Sequence, residues 1–484
     1  MSSVGSAPRL SKGVPHLNKL KPFLSETMSQ KGQPMKFTIR TLCAAMAMTA
    51  ASSAAYADNL EQIYQQALTN DPIVLQAQAQ RDAMYAKVDE SRSPLLPSIT
   101  ANVGYGKSWH DINNDRNGNF NTGAFQGGVT LNQVIYNHGA WVGLNVAELA
   151  ASQSDAAYAS TLQDLIVRVT QAYFNVLAAK DAYEFQGAEV RAIERQLEQT
   201  KQRFAVGLTA ITDVHEAQAQ YDLARAQQIQ AKNTLANSYE SLQEITGVHY
   251  TEVNDLDTQR FSPQAPMPVT VNDWITISEE NNIGITIQKI AKNIASEQIS
   301  LAKSGHLPSL NLTAGYNGQF DSTASSNTPQ GSVNDNGTGS VGINLSIPIF
   351  EGLGTSSKVN QAQYLFVEAN AKLDQTHRAV EKNIRNGFNN VNASISSIKA
   401  YEQTVISAES ALKATQASFE VGTRTIVDVL NSTRDLYNAK RQLSDARYGY
   451  INSILALKQA AGTLSEQDIK TINAGLTITT NAKS

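Results

Sequence analysis

The chain of 484 residues carries 39 Lys/Arg against 43 Asp/Glu and a single cysteine, Cys43. Residues 1–57 hold seven of the basic and one of the acidic residues, so the remainder has 32 against 42 and a net charge of −10, which argues against polyanionic partners such as nucleic acid. Beyond residue 57 there is no cysteine for a disulfide framework. Nor does any segment there approach the ~20 apolar residues of a membrane helix, so crossing a membrane would fall to strands.

In chain order, Lys36 and Arg40 precede an apolar run from Leu42 that closes on Ala55-Tyr56-Ala57, the layout of an export signal with its cleavage site. Upstream, Pro8, Pro15, Pro22 and Pro34 interrupt residues 1–34, which read as an extension before an expected start at Met35. Cys43 lacks a lipobox-like approach, so no lipid anchor is expected.

Residues 58–484 read as two copies of one pattern. Arg203-Phe204-Ala205-Val206-Gly207 through Asp213-Val214 is answered by Ser418-Phe419-Glu420-Val421-Gly422 through Asp428-Val429, at an offset of 215. Upstream, Leu96-Pro97-Ser98 with Gly104-Tyr105 is answered by Leu307-Pro308-Ser309 with Gly315-Tyr316, at an offset of 211. A period this long is no solenoid unit but a duplicated half-structure.

The expected division is 58–270 for the first repeat and 271–463 for the second, with a tail at 464–484. In the first, alternating strands are expected near 98–108 and 125–136 around a polar loop at 110–123. A long helical hairpin to about residue 247 follows, turning at Gly207. The segment 248–270, with Pro263, Pro266 and Pro268, reads as a non-helical element at mid-length. In the second repeat the strands fall near 309–319 and 340–350 around a loop at 321–339, and the hairpin tip falls at Gly422.

Proline is absent from 98–262 and from 349–484, as long helices require, since an interior proline costs roughly 3 kcal/mol. A helix from about Thr355 to Val421 would be ~100 Å long. In the last helix Leu436, Leu443, Tyr450 and Leu457 recur every seven residues, each followed three later by Ala439, Ala446, Ser453 or Ala460, a large-and-small seam for close helix packing. Tyr221, Gln228, Leu235 and Leu242 echo it in the first copy. The polar hairpin loops, period-two strands and aromatic residues Trp109, Phe120, Phe125, Tyr136, Trp141, Phe320 and Phe350 at strand ends fit transmembrane β-strands. A small soluble sheet fits the alternation too. Four strands close no barrel alone, so a membrane sheet would have to be shared between subunits.

Motifs for chemistry fail on context. Gly337-Thr338-Gly339-Ser340-Val341-Gly342 matches a dinucleotide loop in letters but is expected to lead into a strand rather than a helix. Asp111, Asn113 and Asp115 open like a calcium loop that lacks its later glycine and glutamate. His110, His138, His215, His249, His306 and His377 are scattered, so no metal site, cofactor or enzymatic constellation is expected.

The strings Ser93-Pro94-Leu95-Leu96-Pro97, Ala172-Tyr173-Phe174-Asn175-Val176-Leu177, Gly305-His306-Leu307-Pro308, Asn390 to Ser397 and Val421-Gly422-Thr423-Arg424-Thr425-Ile426-Val427-Asp428-Val429-Leu430 resemble the TolC family of outer-membrane efflux channels along essentially the whole chain after residue 57. The resemblance implies an α+β membrane protein: a homotrimer whose 12-stranded β-barrel, four strands per chain, continues into a 12-helix periplasmic α-barrel with an equatorial domain. It implies the outer membrane of a Gram-negative bacterium as location. The implied partners are a periplasmic adaptor and an inner-membrane RND or ABC translocase, with drugs, toxins or proteins as cargo.

By position, the resemblance also assigns a periplasmic gate to Thr212, Asp213, Phe419, Arg424, Asp428 and Asn431, and adaptor-docking tips to Gly207 and Gly422. Phe419 stands where the family's tyrosine would hydrogen-bond the residue at Asp213, and Asn431 where a second acidic ring would stand. Locally, Thr425 to Asp428 also has the spacing of a capping box, and Arg424 that of a solvated helix-start residue. An exported trimeric coiled-coil surface protein or adhesin without a conduit is the alternative, and it would lack the mid-length insertion at 248–270.

Overall fold

The computed structural model describes residues 59–110, 120–325 and 328–477. The export-signal reading, Cys43 and the Asp111-Asn113-Asp115 motif lie outside them. Two helices open the described chain, α1 (Leu60–Asn70) and α2 (Pro72–Arg92). Asn59 and Gln62 exchange side-chain-to-backbone hydrogen bonds at 2.8 and 3.1 Å, a capping box that satisfies two orphan donors of α1. The carboxylate of Asp71 accepts from the amides of Ile73 and Val74 and pairs with Arg168 at 2.8 Å. One buried side chain thereby starts α2, whose first residue Pro72 needs no partner, and fastens it to the next long helix.

A 3₁₀ turn at Ser93–Leu95 leads into β1 (Ser98–His110), followed by β2 (Phe120–Asn137) and the long helix α3 (His138–Ala205). After α4 (Ile211–Thr246) the pattern returns: α5 (Val271–Asn281), α6 (Ile283–Ser304), β3 (Ser309–Ser325), β4 (Thr328–Ser346), α7 (Gly354–Glu420) and α8 (Ile426–Ala461), with α9 (Glu466–Asn473) last. With 68 and 67 residues, α3 and α7 are each ~100 Å long.

The four strands form one antiparallel sheet in the order β1-β2-β3-β4, and the β2–β3 ladder joins the two halves of the chain. Register sorts the side chains by face. The row Ile99, Leu131, Ala314 and Val341 is apolar, as is Ala101, Val129, Tyr316 and Gly339; between them Thr100, Thr130, Gly315 and Ser340 fall on the other face. The apolar face is uncovered: Ile99, Val103, Tyr105, Val341 and Ile343 are all more than two-thirds exposed. Both outer strands, β1 and β4, leave one edge unpaired within the chain.

The second hairpin departs from the sequence pattern at both of its ends. The segment 321–339, expected as a loop, is almost all strand, with Asp321 paired to Asn334 and Gln319 to Asn336. Backbone pairing is indifferent to side-chain polarity, so a hydropathy pattern cannot see strands that run on past the apolar band. Accordingly Gly337 to Gly342 lies within β4. At the other end β4 stops at Ser346, before Ile347 and Ile349, because Pro348 has no N–H to add to the ladder.

The largest buried cluster lies at mid-length. Leu60, Ile63 and Tyr64 of α1 pack there with Tyr173, Phe174 and Leu177 of α3, Leu242 of α4, and Tyr448, Ile451 and Leu455 of α8. The chain after α4 closes over it: Tyr173 donates to the Asn254 carbonyl at 2.6 Å, and Leu256 bridges to Leu476. This element interrupts the helical rods, contrary to the uniform repeats of a coiled-coil adhesin. A second cluster, around Trp274, Ile285, Ile384, Val391 and Leu457, is the counterpart in the other half. The heptad seam is unevenly buried, with Leu457 fully covered, Leu436 7% exposed and Leu443 and Tyr450 half-buried. Among the described residues no helix is long and apolar enough to cross a membrane.

Candidate functional site

The site is the end of the two long hairpins, where α3 turns into α4 and α7 into α8. Both turns have the same hydrogen bonds. The Leu208 amide donates to the Arg203 carbonyl and Gly207 to Phe204, each at 2.9 Å; Thr423 donates to Ser418 at 2.9 Å and Gly422 to Phe419 at 3.1 Å. These paired 6→1 and 5→2 bonds are the Schellman ending, which needs a left-handed residue after the last helical one. Gly207 and Gly422 supply it with φ of +78° and +80°. A Cβ at either would meet nothing within 4 Å, so the restriction is conformational, and the turns are open to a partner.

The starts of α4 and α8 differ. Thr425 and Asp428 form the capping box: the Asp428 carboxylate accepts from the Thr425 amide and hydroxyl at 2.9 Å each, and Thr425 Oγ1 accepts from the Asp428 amide at 3.3 Å. These bonds hold the Asp428 carboxyl below the usual carboxylate range. Arg424 Nη1 lies 3.7 Å from Asp428 Oδ1, a solvated pair that contributes little by itself. In the first copy the equivalent of Thr425 is Ala210, which offers no side-chain cap. There Thr209 donates its hydroxyl to Asp213 instead.

An apolar cluster underlies both tips: Val190, Ile193 and Leu197 of α3, Ala217 and Ala224 of α4, and Ile426, Val429 and Leu430 of α8, with Phe419 and Val427 packed against it. Higher up the same interface turns polar. Asp181 and Glu189 on α3 face Ser444, Tyr448 and Arg441 on α8, and burial raises both carboxyls above their ordinary values. Lys440 pairs with Glu409 at 3.1 Å and Arg447 with Glu402 at 3.6 Å, tying α8 to α7.

Of the residues singled out from sequence, the structure joins Arg424 to Asp428 directly. Among the described residues, no hydrogen bond or ion pair within the chain links Thr212 or Asp213 to Phe419, Arg424 or Asn431. Phe419, without a hydroxyl, is instead covered by Arg203, whose Cζ lies 4.6 Å from the ring centroid. Sequence reasoning passed over Arg203, Asp181 and Glu189. For Arg203 the signal was available: it directly precedes the repeated phenylalanine, where the second copy has Ser418. The two α3 carboxylates are charged letters in an otherwise apolar stripe, and only the packing of α8 shows that they are buried. Among those residues no group of three or more His, Cys, Asp or Glu is placed to hold a metal ion.

Comparison with known proteins follows the same two-part organisation. The family model described as outer membrane efflux protein matches residues 63–248 and again 274–463. The chain is 47% identical to the outer membrane protein TolC of Vibrio cholerae, over 88% of this chain and 96% of that protein. It is 42% identical to TolC of Escherichia coli, over 89% and 87% respectively. In fold it is similar to the crystal structure of the Campylobacter jejuni CmeC outer membrane channel, with a TM-score of 0.71 at 18% identity, covering 93% of this chain and 98% of that one.

Proposed function

Because this chain belongs to the outer membrane efflux protein family, whose members are export channels of the outer membrane, we infer that it works as a homotrimer whose twelve strands close one barrel and whose long helices form a periplasmic tunnel. The observation that carries this reading is the sheet: four strands, one uncovered apolar face and two unpaired edges. In lipid each unsatisfied backbone group costs several kcal/mol, so the edges must be paired, and the strands of two further copies are the partners that close the ring. Along β3, Leu310 to Phe320 bounds the apolar face; ten residues of strand rise ~33 Å, which at the ~40° tilt of barrels is about the 25 Å height of their apolar band.

Residues 58–270 and 271–463 are then quasi-equivalent halves, and two halves in three copies give a tunnel wall of near-sixfold symmetry. Gly207 and Gly422 mark its open periplasmic end, where a periplasmic adaptor and an inner-membrane RND or ABC translocase would dock. Thr212, Asp213, Phe419, Arg424, Asp428 and Asn431 line the constriction there. Three Asp428 carboxylates around the axis would attract cations, and Asn431 adds no second ring of charge. Drugs, toxins or proteins pass through, and no catalytic step belongs to the chain.

The purified protein tests this in two steps. Native gels or light scattering should give a detergent-stable trimer, and planar bilayers should show discrete, cation-selective conductance. A folded monomer in the bilayer would contradict the assembly. A trimer that stays non-conducting even as Arg424→Ser would remove the conduit.

A further inference from the structure

Arg203 and Phe419 are the last-turn residues of different hairpins, and each is held by a Schellman turn through its own carbonyl, Arg203 by the Leu208 amide and Phe419 by the Gly422 amide. Their backbones are therefore fixed relative to the tips at Gly207 and Gly422. The Phe419 ring leans on the apolar cluster shared by α3, α4 and α8 and turns one face to the Arg203 guanidinium at 4.6 Å, within the ~6 Å range of a cation–π contact. A phenylalanine ring has no polar atom, and a cation engages it over its negative face. Arg203 takes that place.

The quasi-symmetry of the repeats makes this contact one-sided. Phe204 occupies the position of Phe419 in the other copy and is 42% exposed, while the residue answering Arg203 is Ser418, which carries no cation. Among the described residues the two equivalent tips thus share one cationic brace between them, and it runs from the end of α3 to the end of α7.

We propose that Arg203 is a positioning residue for the channel's periplasmic constriction: its guanidinium clamps the ring of Phe419 and so locks the α7–α8 tip onto the α3–α4 hairpin of the same subunit. This rests on the reading that the constriction lies at these tips. The brace is independent of the Arg424–Asp428 pair, which lies wholly at the start of α8. It also differs from that pair in kind. A cation over a ring on an apolar cluster loses less to salt than a solvated ion pair does.

The experiment is single-channel recording of the full-length trimer in planar bilayers, with trimer assembly monitored on gels. Arg203→Gln, which keeps most of the stem and removes the charge, should raise open probability about 2- to 5-fold, the range of an exposed cation–π contact. Phe419→Leu should do the same, and the double variant should open no further than either single one. Arg203→Lys should return most of the closure. Arg424→Ser is the reference: if it opens the channel while Arg203→Gln and Phe419→Leu do not, the brace is refuted and the constriction stands. If none of the three changes conductance, the constriction reading fails and the brace with it. Additive opening in the double variant would also overturn the proposal, since the two side chains would then act separately.

Discussion

Tyr448 donates its phenolic hydrogen to Asp181 at 2.8 Å, across the interface of α8 and α3, and Ser444 donates to the same carboxylate oxygen. Burial pushes Asp181 above the carboxylate range, with Asp255 adding to the rise, while the two hydroxyls and Lys180 pull against it. The contact lies at the edge of the mid-length core, to which the Tyr448 ring belongs, on the side toward the apolar cluster at the tips, so polar groups intervene between two hydrophobic clusters along the same pair of helices.

A pH dependence follows, and its sign is set by the direction of the shift. A carboxyl raised in the folded state favours folding fully below its ordinary value of 3.8, and that contribution is lost as pH rises through the folded pKa. Asp181→Asn should flatten the fall in melting temperature above about pH 4, without abolishing it, because Glu184, Glu189 and Asp445 are also raised by burial. Near pH 7 the variant should lie within about 1 kcal/mol of the parent, since the amide oxygen still accepts from both hydroxyls. Thermal melts at several pH values check this; a steeper slope in Asp181→Asn would contradict it.

Equivalent glycines at the far ends of α4 and α8 should respond unequally. Gly247 and Gly462 both have positive φ, +69° and +74°. A Cβ at Gly247 would meet only the Asn70 Cβ at 4.0 Å, whereas at Gly462 it would lie 2.2 Å from the Asn281 carbonyl oxygen and 2.7 Å from the Asn282 nitrogen. Gly247→Ala should cost about 1–2 kcal/mol of backbone strain. Gly462→Ala must in addition displace the start of α6, where Asn282 caps the Ile285 amide and donates to the Ala460 carbonyl, for a total loss of about 2–5 kcal/mol. Equal melting temperatures for the two variants would disprove this difference.

At the tips, Gly207→Arg and Gly422→Arg should leave the trimer assembled, because there is open space at both positions and the strain is about 1–2 kcal/mol each. Efflux should nevertheless be lost if, as proposed, these tips dock an adaptor, since the bulky cation would occupy that surface. Drug-susceptibility assays beside trimer gels separate the two effects. Normal resistance in both variants would remove Gly207 and Gly422 from the docking surface.

Asp428 caps α8, and in the proposed assembly its charge would also face the pore, two roles that a pair of substitutions separates. Asp428→Ala removes the capping carboxylate and the charge together; Asp428→Asn keeps an oxygen for the Thr425 amide and removes only the charge. Asn should therefore melt close to the parent and Ala lower, while both lower the cation-over-anion permeability ratio by roughly twofold or more. Reversal potentials in a salt gradient measure this. Parent-like selectivity in both would leave Asp428 as a helix cap alone.

Much of this molecule was legible in one dimension. Two near-identical strings around Gly207 and Gly422 mark the turns, because a Schellman ending needs a residue that tolerates positive φ. Long proline-free runs mark α3 and α7, because proline is excluded from helix interiors. Alternation marks the apolar face of the sheet, since side chains on one face recur with a period of two along a strand. Where that face ends the signal ends with it: Asp321–Ser325 and Thr328–Gly339 are strands in structure and loops in composition. The Thr425–Asp428 capping box is also a local matter and was readable as one possibility from spacing alone.

What the sequence could not decide are the contacts between elements far apart in the chain. Arg203 meets Phe419, and Asp181 meets Tyr448, across separations of more than two hundred residues, and no local periodicity encodes which side chains face each other there. The same holds for the unequal surroundings of Gly247 and Gly462, which are identical letters at equivalent repeat positions. Propensity, capping and amphipathic period are set by neighbours a turn or two away, so they survive in a linear reading. Burial of a charge, the partner of a ring and the room beside a glycine depend on how whole helices are laid together, and only the tertiary structure holds that information.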